Sequence, residues 1–194
     1  MSPTSQPLLA WHGGALGAVV VCGCCLLLAI TAALAGPAQP QEYEVKAAFL
    51  YNFTKFVEWP PRAFGGQDDP MVVGVLGAPR CAAALEQLVR GRKVNGRALV
   101  VRRIERDEDV RSVQLLFVGA GAEARFARLL ASLAGAPVLT VGESAAFAES
   151  GGAINFVLED SKVRFEINAP AAERVGVRIS AQMLKLARPP ARGS

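Results

Sequence analysis

Apolar residues along this chain follow two different spacings, and each spacing predicts a different element. Within residues 42–59, apolar side chains recur every three or four positions, which is the spacing of one face of a helix. Pro60 and Pro61 follow directly, so we expect this helix to end at Trp59. Met71–Leu76, by contrast, is a short unbroken apolar run, which is typical of a strand buried on both faces. The chain therefore combines amphipathic helices with buried strands.

Helical and strand patterns alternate along most of the chain. The same two spacings predict helices at residues 81–90, 122–133 and 180–187, and strands at residues 97–104, 113–118, 137–141, 154–158 and 163–167. Only four polar residues separate the last two strands, so we expect these strands to form a hairpin. Alternating strands and helices with short connections predict an α/β sandwich with a mainly parallel sheet flanked by helices, and with this hairpin near the C-terminus. We expect a single domain over residues 36–194.

The N-terminal segment differs from the rest of the chain, because no Lys, Arg, Asp or Glu precedes Glu42. Residues 15–35 are apolar and end in Ala33-Leu34-Ala35, a pattern of small residues typical of a signal-peptidase site. We therefore expect a signal peptide over residues 1–35 that exports the protein through the inner membrane and is cleaved. The alternative is an uncleaved anchor at residues 15–35, since a run of this length would span a hydrocarbon core of about 30 Å.

Composition narrows the class of function. Hydrophobic residues make up 52% of the 194 residues and charged residues 20%, which excludes a disordered chain. The single histidine, His12, lies in the predicted signal peptide, so the domain has no histidine for a Ser-His-Asp triad, a Cys-His pair or a metal site. We therefore expect a protein that is not an enzyme, with no catalytic residue and no bound metal.

The positions of the cysteines restrict the disulfides that the domain can form. Three of the four, at positions 22, 24 and 25, fall in the predicted signal peptide, and only Cys81 lies in the domain. An internal disulfide is therefore not expected. In an oxidising compartment, Cys81 is either buried or available to bridge two subunits.

A glycine-rich turn follows the strand predicted at residues 113–118. Gly119 and Gly121 open the next predicted helix in a G-x-G-x-x-A pattern, and the acidic residue Glu143 follows the next strand, as in dinucleotide-binding folds. Export away from reduced cofactor pools and the lack of a second nucleotide-binding half favour a plain strand-to-helix turn. We expect no cofactor, and Gly119 and Gly121 remain a candidate anion site at a helix N-terminus.

The middle of the chain is basic. A nucleic acid would be a natural partner for such a cluster in the cytoplasm, but export removes that partner, so we expect no nucleic-acid binding. A solvated face, or a surface that meets an acidic partner or anionic lipid, remains. The cluster consists of Arg90, Arg92, Lys93, Arg97, Arg102, Arg103 and Arg106.

The second strand of the predicted hairpin alternates between apolar and polar residues. Arg164, Glu166 and Asn168 fall on one face, and the residues between them fall on the other. The polar face is either that of an ordinary half-exposed strand or a wall that contacts a ligand or a partner. In the second case, Arg178 and Ser180 would join it from the following segment.

Four segments carry a recognisable pattern: residues 44–60 (EVKAAFLYNFTKFVEWP), 151–156 (GGAINF), 164–168 (RFEIN) and 179–187 (ISAQMLKLA). These segments resemble the YfiR-like family of exported bacterial proteins. The resemblance covers nearly all of the chain after the predicted signal peptide, and it implies a periplasmic α/β protein without enzymatic activity, often dimeric. It also implies redox control in the branch that carries disulfides, but here Cys81 stands alone and Val113 occupies a position where many relatives have cysteine.

The resemblance also implies a function. The best-known member of the family represses an inner-membrane diguanylate cyclase by binding its periplasmic sensory domain. We therefore expect this protein to bind the periplasmic domain of an inner-membrane signalling protein and so to modulate cyclic di-GMP signalling, with a homodimer and a small ligand left open. The alternative is a periplasmic small-molecule binding protein coupled to another membrane receptor or envelope system.

Overall fold

The computed structural model describes residues 38–189, and the compact unit begins at Gln39. The signal peptide predicted at residues 1–35, and the alternative anchor at residues 15–35, lie outside the described residues. Within residues 38–189, every helix is too short or too polar to cross a membrane.

Helices and strands alternate through the described part of the chain. The helices are α1 (Ala38–Phe56), α2 (Pro79–Val89), α3 (Glu123–Leu129), α4 (Ala145–Glu149), α5 (Ala169–Arg174) and α6 (Ala181–Leu186), with 3-10 turns at Pro61–Ala63 and Asp107–Ser112. The strands are β1 (Val57–Glu58), β2 (Met71–Leu76), β3 (Lys93–Val94), β4 (Arg97–Arg103), β5 (Leu115–Val118), β6 (Leu139–Gly142), β7 (Ile154–Glu159), β8 (Lys162–Ile167) and β9 (Arg178–Ile179).

A seven-stranded sheet organises this region in the order β3-β4-β2-β5-β6-β7-β8. The five central strands are parallel to one another, while β3 and β8 pair antiparallel at the two edges. The fold is therefore the α/β sandwich with a mainly parallel sheet and a C-terminal hairpin that the sequence predicts. In the hairpin turn, Asp160 and Ser161 have φ of 49° and 59°, and a type I′ turn requires positive φ at both positions.

Apolar side chains leave both faces of the sheet, which explains the unbroken apolar pattern of the central strands. In β2, Val73 and Val75 enter the core that contains α1 and α2, while Val72 and Leu76 enter the core beneath α3 and α4. The α1 side is rich in aromatic rings. Centroid distances of 5.1 to 6.0 Å join the rings of Phe49, Phe53, Phe117, Phe156 and Phe165.

The first helix ends earlier than its sequence pattern predicts. The predicted end at Trp59 is wrong, because α1 ends at Phe56 and β1 then pairs antiparallel with β9. A proline disfavours helical geometry in the residue before it, and Pro60 follows Trp59. The indole Nε1 of Trp59 donates a hydrogen bond to the carbonyl oxygen of Gln114 at 2.8 Å.

Two other elements differ from the prediction. Helix α3 ends at Leu129 instead of continuing to Leu133, and the residues that follow form turns. Helix α4 has only five residues, too few to show a helical period in the sequence.

Candidate functional site

The carboxyl ends of β2 and β5 lie at the point where the strand order of the sheet reverses. The chain leaves β2 for β4 on one side and later returns to β5 on the other, and ligands of doubly wound sheets usually bind at such a switch point. Here the protein's own carboxylates occupy the turn after β5. The amide of Ala120 donates to Glu143 Oε1 at 2.6 Å, and the amide of Gly121 donates to Glu123 Oε2 at 2.7 Å. An anion would have to displace these carboxylates to bind there.

Gly119 in this turn serves close packing. A Cβ on Gly119 would lie 2.7 Å from the Cβ of Ala78 and 3.0 Å from the carbonyl oxygen of Gly77. Real Cβ atoms essentially never approach a heavy atom so closely, so only glycine fits between the two turns. The glycine pattern that resembles a dinucleotide site therefore has a packing role in this fold.

Glu143 forms a buried ion pair with the first helix. Lys46 Nζ lies 2.6 Å from Glu143 Oε2 and also donates to Glu42, and the side chains of Lys46 and Glu143 are 6% and 3% exposed. Burial lowers the pKa of Lys46, but the hydrogen bonds to Glu143 and Glu42 outweigh burial and hold that pKa above its ordinary value. In a dinucleotide-binding pattern, Glu143 would bind a ribose. Here its ion pair with Lys46 connects α1 to the end of β6.

Cys81 lies in the same region, in α2, and is fully buried. Burial raises the pKa of its thiol to about 12, and the nearby charge of Glu143 adds to the shift. This favours the buried alternative over a bridge between subunits, because a partner's thiol could reach Cys81 only after local opening.

We expect the thiol of Cys81 to react with a maleimide at pH 8 at least about a hundredfold more slowly than a free cysteine. The thiolate is the reactive species, and a pKa near 12 leaves almost none of it at that pH. The rate of labelling, followed by mass spectrometry in the native protein and in urea, checks this. Rapid stoichiometric labelling of the native protein would contradict the buried placement.

The basic residues in the middle of the chain are largely engaged by nearby groups. Arg97 Nη1 donates to the carbonyl oxygens of Gly66 and Asp69 at 2.8 and 2.7 Å. Arg103 donates through two nitrogens to the carboxylate of Glu86 at 3.0 and 3.2 Å. These contacts favour a solvated face whose charges are partly paired.

The outer strand β8 has the alternation that the sequence predicts. Phe165 and Ile167 pack on the α1 side, so Arg164 and Glu166 project from the opposite face. The Arg164 side chain is 55% exposed, whereas that of Glu166 is only 15% exposed. The two polar residues therefore lie in different environments, one at the surface and one recessed.

Arg188 joins this face from the C-terminal segment. Its amide donates to the carbonyl oxygen of Phe165 at 2.8 Å, which adds a parallel bridge at the edge of β8. Its guanidinium lies 3.4 Å from Glu159 and 4.0 Å from Glu166, and Arg164 lies 4.0 Å from Glu159. Sequence reasoning missed Arg188, because nothing in the local pattern brings it to β8.

Two of the predicted site residues cap helices. Asn168 Oδ1 accepts from the amide of Ala171 at the start of α5, and Ser180 Oγ accepts from the amide of Met183 at the start of α6, both at 3.3 Å.

Arg178 is exposed and pairs through its backbone with Glu58 across β9 and β1. Among residues 38–189, no hydrogen bond or ion pair joins Arg178 or Ser180 to Glu166, and neither residue lines the pocket that Glu166 lines.

A pocket of about 480 Å³ opens between the β7–β8 hairpin and the helices α4 and α5. Its floor includes Asn155 and Glu166, which are directly opposite each other on neighbouring strands. Of the predicted site residues, Glu166 and Asn168 line it, while Asn155 and Glu149 were missed. A polar residue inside the apolar run of β7 was the available signal for Asn155. The complete lining is Ala148, Glu149, Gly152, Ala153, Asn155, Glu166, Ile167, Asn168 and Pro170.

Comparison with known proteins gives a family match and similar solved structures. The sequence model of the YfiR/HmsC-like family matches residues 43–188. No curated protein matches the chain. Among solved structures, a conserved domain protein from Vibrio cholerae O1 biovar El Tor is 14% identical, with a TM-score of 0.49 over 76% of this chain and 59% of that one. The ABC domain in complex with L-Trp from Streptococcus pneumoniae is 14% identical, with a TM-score of 0.42 over 60% of this chain and 53% of that one. The chain thus spans less than two thirds of either protein.

Proposed function

The chain belongs to the YfiR/HmsC-like family, and from this membership we propose that it is a periplasmic regulator of an inner-membrane diguanylate cyclase. It binds the periplasmic sensory domain of the cyclase and lowers the production of cyclic di-GMP. The observation that carries this proposal is the family match over residues 43–188, which spans almost all of the described chain. In this proposal the protein acts by binding and performs no chemistry of its own.

The proposal places the protein in the periplasm. Residues 1–35 direct export and are removed, and residues 36–194 form the regulatory domain. Repression requires a difference in affinity, because a binding partner that binds the active and inactive states of the cyclase equally well shifts nothing. The contact surface must therefore favour the inactive state of the sensory domain.

We assign this contact to the exposed edge of the β7–β8 hairpin. Glu159, Arg164 and Arg188 have side chains that are 44%, 55% and 41% exposed. Glu159 lies 3.4 Å from Arg188 and 4.0 Å from Arg164, and exposed ion pairs of this kind contribute little to stability. Val157, which pairs with Arg164 on the same face of the hairpin, is half-buried and offers apolar contact area. Exposed charges of this kind contribute specificity and association rate without supplying the core of the fold.

Arg164→Glu is expected to raise cellular cyclic di-GMP several-fold, to the level of a gene deletion. The charge reversal opposes recognition, and the weak surface pair with Glu159 makes its cost in stability at most about 1 kcal/mol. Mass spectrometry of cell extracts measures cyclic di-GMP, and immunoblotting measures the abundance of the protein. Arg90→Glu is the matched control, because Arg90 is an exposed arginine at the end of α2, outside the hairpin.

Two outcomes would count against this assignment. If the Arg164→Glu protein is folded and abundant and cyclic di-GMP stays at the parental level, the hairpin edge is not the contact surface. If deletion of the gene also leaves cyclic di-GMP at the parental level, the protein does not repress a cyclase.

The alternative function is a periplasmic small-molecule binding protein coupled to another membrane receptor or envelope system. The pocket of about 480 Å³ favours it, because small-molecule sites of this size combine apolar walls with a few polar groups. Glu166 and Asn168 would then serve a ligand, while Arg164 would remain outside that site.

A further inference from the structure

We propose that the pocket between the β7–β8 hairpin and the helices α4 and α5 binds a small organic cation that also carries a hydrogen-bond acceptor. The inference rests on the alternative function, the binding of a small molecule, and it names the class of ligand. The acidic groups of the pocket, the weak pairing of Glu166 and the free amide of Asn155 support it independently of the cyclase.

The pocket has the dimensions of a small-molecule site. Its volume of about 480 Å³ lies within the range of roughly 300–1,000 Å³ that is typical of ligand pockets. Ala148, Ala153, Ile167 and Pro170 give it apolar walls. These walls exclude water from one side of a bound molecule and strengthen its polar contacts with the floor.

The charges of the lining favour a cation. Glu149 and Glu166 line the pocket, and no lysine or arginine does so among the described residues. The chain as a whole has a formal net charge of +4, so the acidic character is local to the pocket and does not reflect the protein's overall field. The local charge of the lining therefore attracts a cationic ligand.

Glu166 is poorly compensated within the protein. Its side chain is 15% exposed, yet within residues 38–189 its closest cationic group is Arg188 Nε at 4.0 Å, and that guanidinium lies closer to Glu159, at 3.4 Å. A carboxylate with little access to water gains substantially from a charge-assisted hydrogen bond. An ammonium or guanidinium group of a ligand would supply that bond.

Asn155 indicates that the ligand also carries a hydrogen-bond acceptor. The residue is 7% exposed, and its Oδ1 accepts from the amide of Ser144 at 3.1 Å. Its Nδ2 makes no hydrogen bond to any residue among 38–189, although the side chain lines the pocket. This N–H is accessible from the pocket, so a hydroxyl or carbonyl oxygen on the ligand would accept its hydrogen bond.

The test uses Nα-acetyl-L-argininamide as the probe, here called argininamide, because it carries a guanidinium cation and carbonyl oxygens. Nα-acetyl-L-citrullinamide, here called citrullinamide, is its near-isosteric uncharged control, with a neutral ureido group in place of the guanidinium, and glutarate is the anionic control. Isothermal titration calorimetry on the purified protein should give argininamide at least a tenfold lower Kd than citrullinamide, with no binding of glutarate. The side-chain amide resonance of Asn155 should shift on binding in a ¹H–¹⁵N spectrum.

Substitutions locate the binding in this pocket. Glu166→Gln should raise the Kd for argininamide at least tenfold, whereas Glu173→Gln, an exposed carboxylate of α5 outside the lining, should leave it unchanged. If Glu166→Gln fails to fold, Glu149→Gln at the exposed rim takes its place.

The proposal falls if argininamide and citrullinamide bind equally, or if neither binds. It also falls if Glu173→Gln weakens binding as much as Glu166→Gln, because the attraction would then be diffuse. Each of these three failures leaves the cyclase proposal standing, since that proposal is tested through Arg164 and cellular cyclic di-GMP.

Discussion

Lys46→Met is expected to lower the free energy of unfolding by about 3–5 kcal/mol, because it leaves the buried carboxylate of Glu143 without its cation. Lys46 and Glu143 are 2.6 Å apart, and both side chains are almost fully buried. Glu143 also accepts from the amide of Ala120, so the substitution weakens the contact of α1 with the turn after β5. Urea denaturation followed by circular dichroism measures the change.

Two further variants distinguish the effect of losing the buried ion pair from the effect of losing a lysine alone. Lys55→Met removes an exposed lysine of the same helix and should change the free energy of unfolding by less than about 1 kcal/mol. Adding Glu143→Gln to Lys46→Met removes the uncompensated charge and keeps an acceptor for Ala120, so it should recover most of the loss. If Lys46→Met costs no more than Lys55→Met, the buried pair does not hold α1 in place.

Gly142→Ala is the second substitution with a large expected effect. The ring of Phe147 lies between Gly142 and Gly152, and a Cβ on either glycine would lie 2.1 or 2.0 Å from a ring carbon. Phe147 is fully buried and its ring centroid lies 4.7 Å from that of Phe126, so the ring cannot withdraw without disturbing the core beneath α3 and α4. We expect a loss of about 3 kcal/mol or more in the free energy of unfolding.

A double-mutant cycle checks the cause of that loss. In a Phe147→Ala background, Gly142→Ala should cost almost nothing, because the ring that it strikes is gone. Gly66→Ala is the control, since a Cβ there would lie 3.8 Å from its nearest neighbour, an ordinary contact. Equal costs of Gly142→Ala in the two backgrounds would mean that the overlap with Phe147 is not the source.

Local patterns in the sequence correctly predict much of the sheet. The strand Met71–Leu76 has the predicted bounds, and the hairpin has the predicted alternation, with Phe165 buried and Arg164 exposed. Backbone geometry sets these periods, so neighbouring residues are enough to reveal them. The bounds of α1 are not determined in this way, because β1 forms only by pairing with β9, about 120 positions away in the sequence.

The candidate site depends on contacts between distant segments. The sequence offers Glu143 as the acidic residue of a dinucleotide pattern, but folding places it against Lys46, 97 positions earlier in the chain. The predicted polar wall is divided in the same way. Glu166 and Asn168 line a pocket that Glu149 and Asn155 complete, while Arg178 and Ser180 are not part of its lining.

The sequence by itself therefore determined the class of fold, the family resemblance and the alternation of β8. Only the tertiary structure decided which carboxylates are compensated and which face a cavity. The physical reason is that strand and helix periods arise from the backbone of adjacent residues. The environment of a charge depends instead on which remote segments pack against it, and a single sequence does not state that packing.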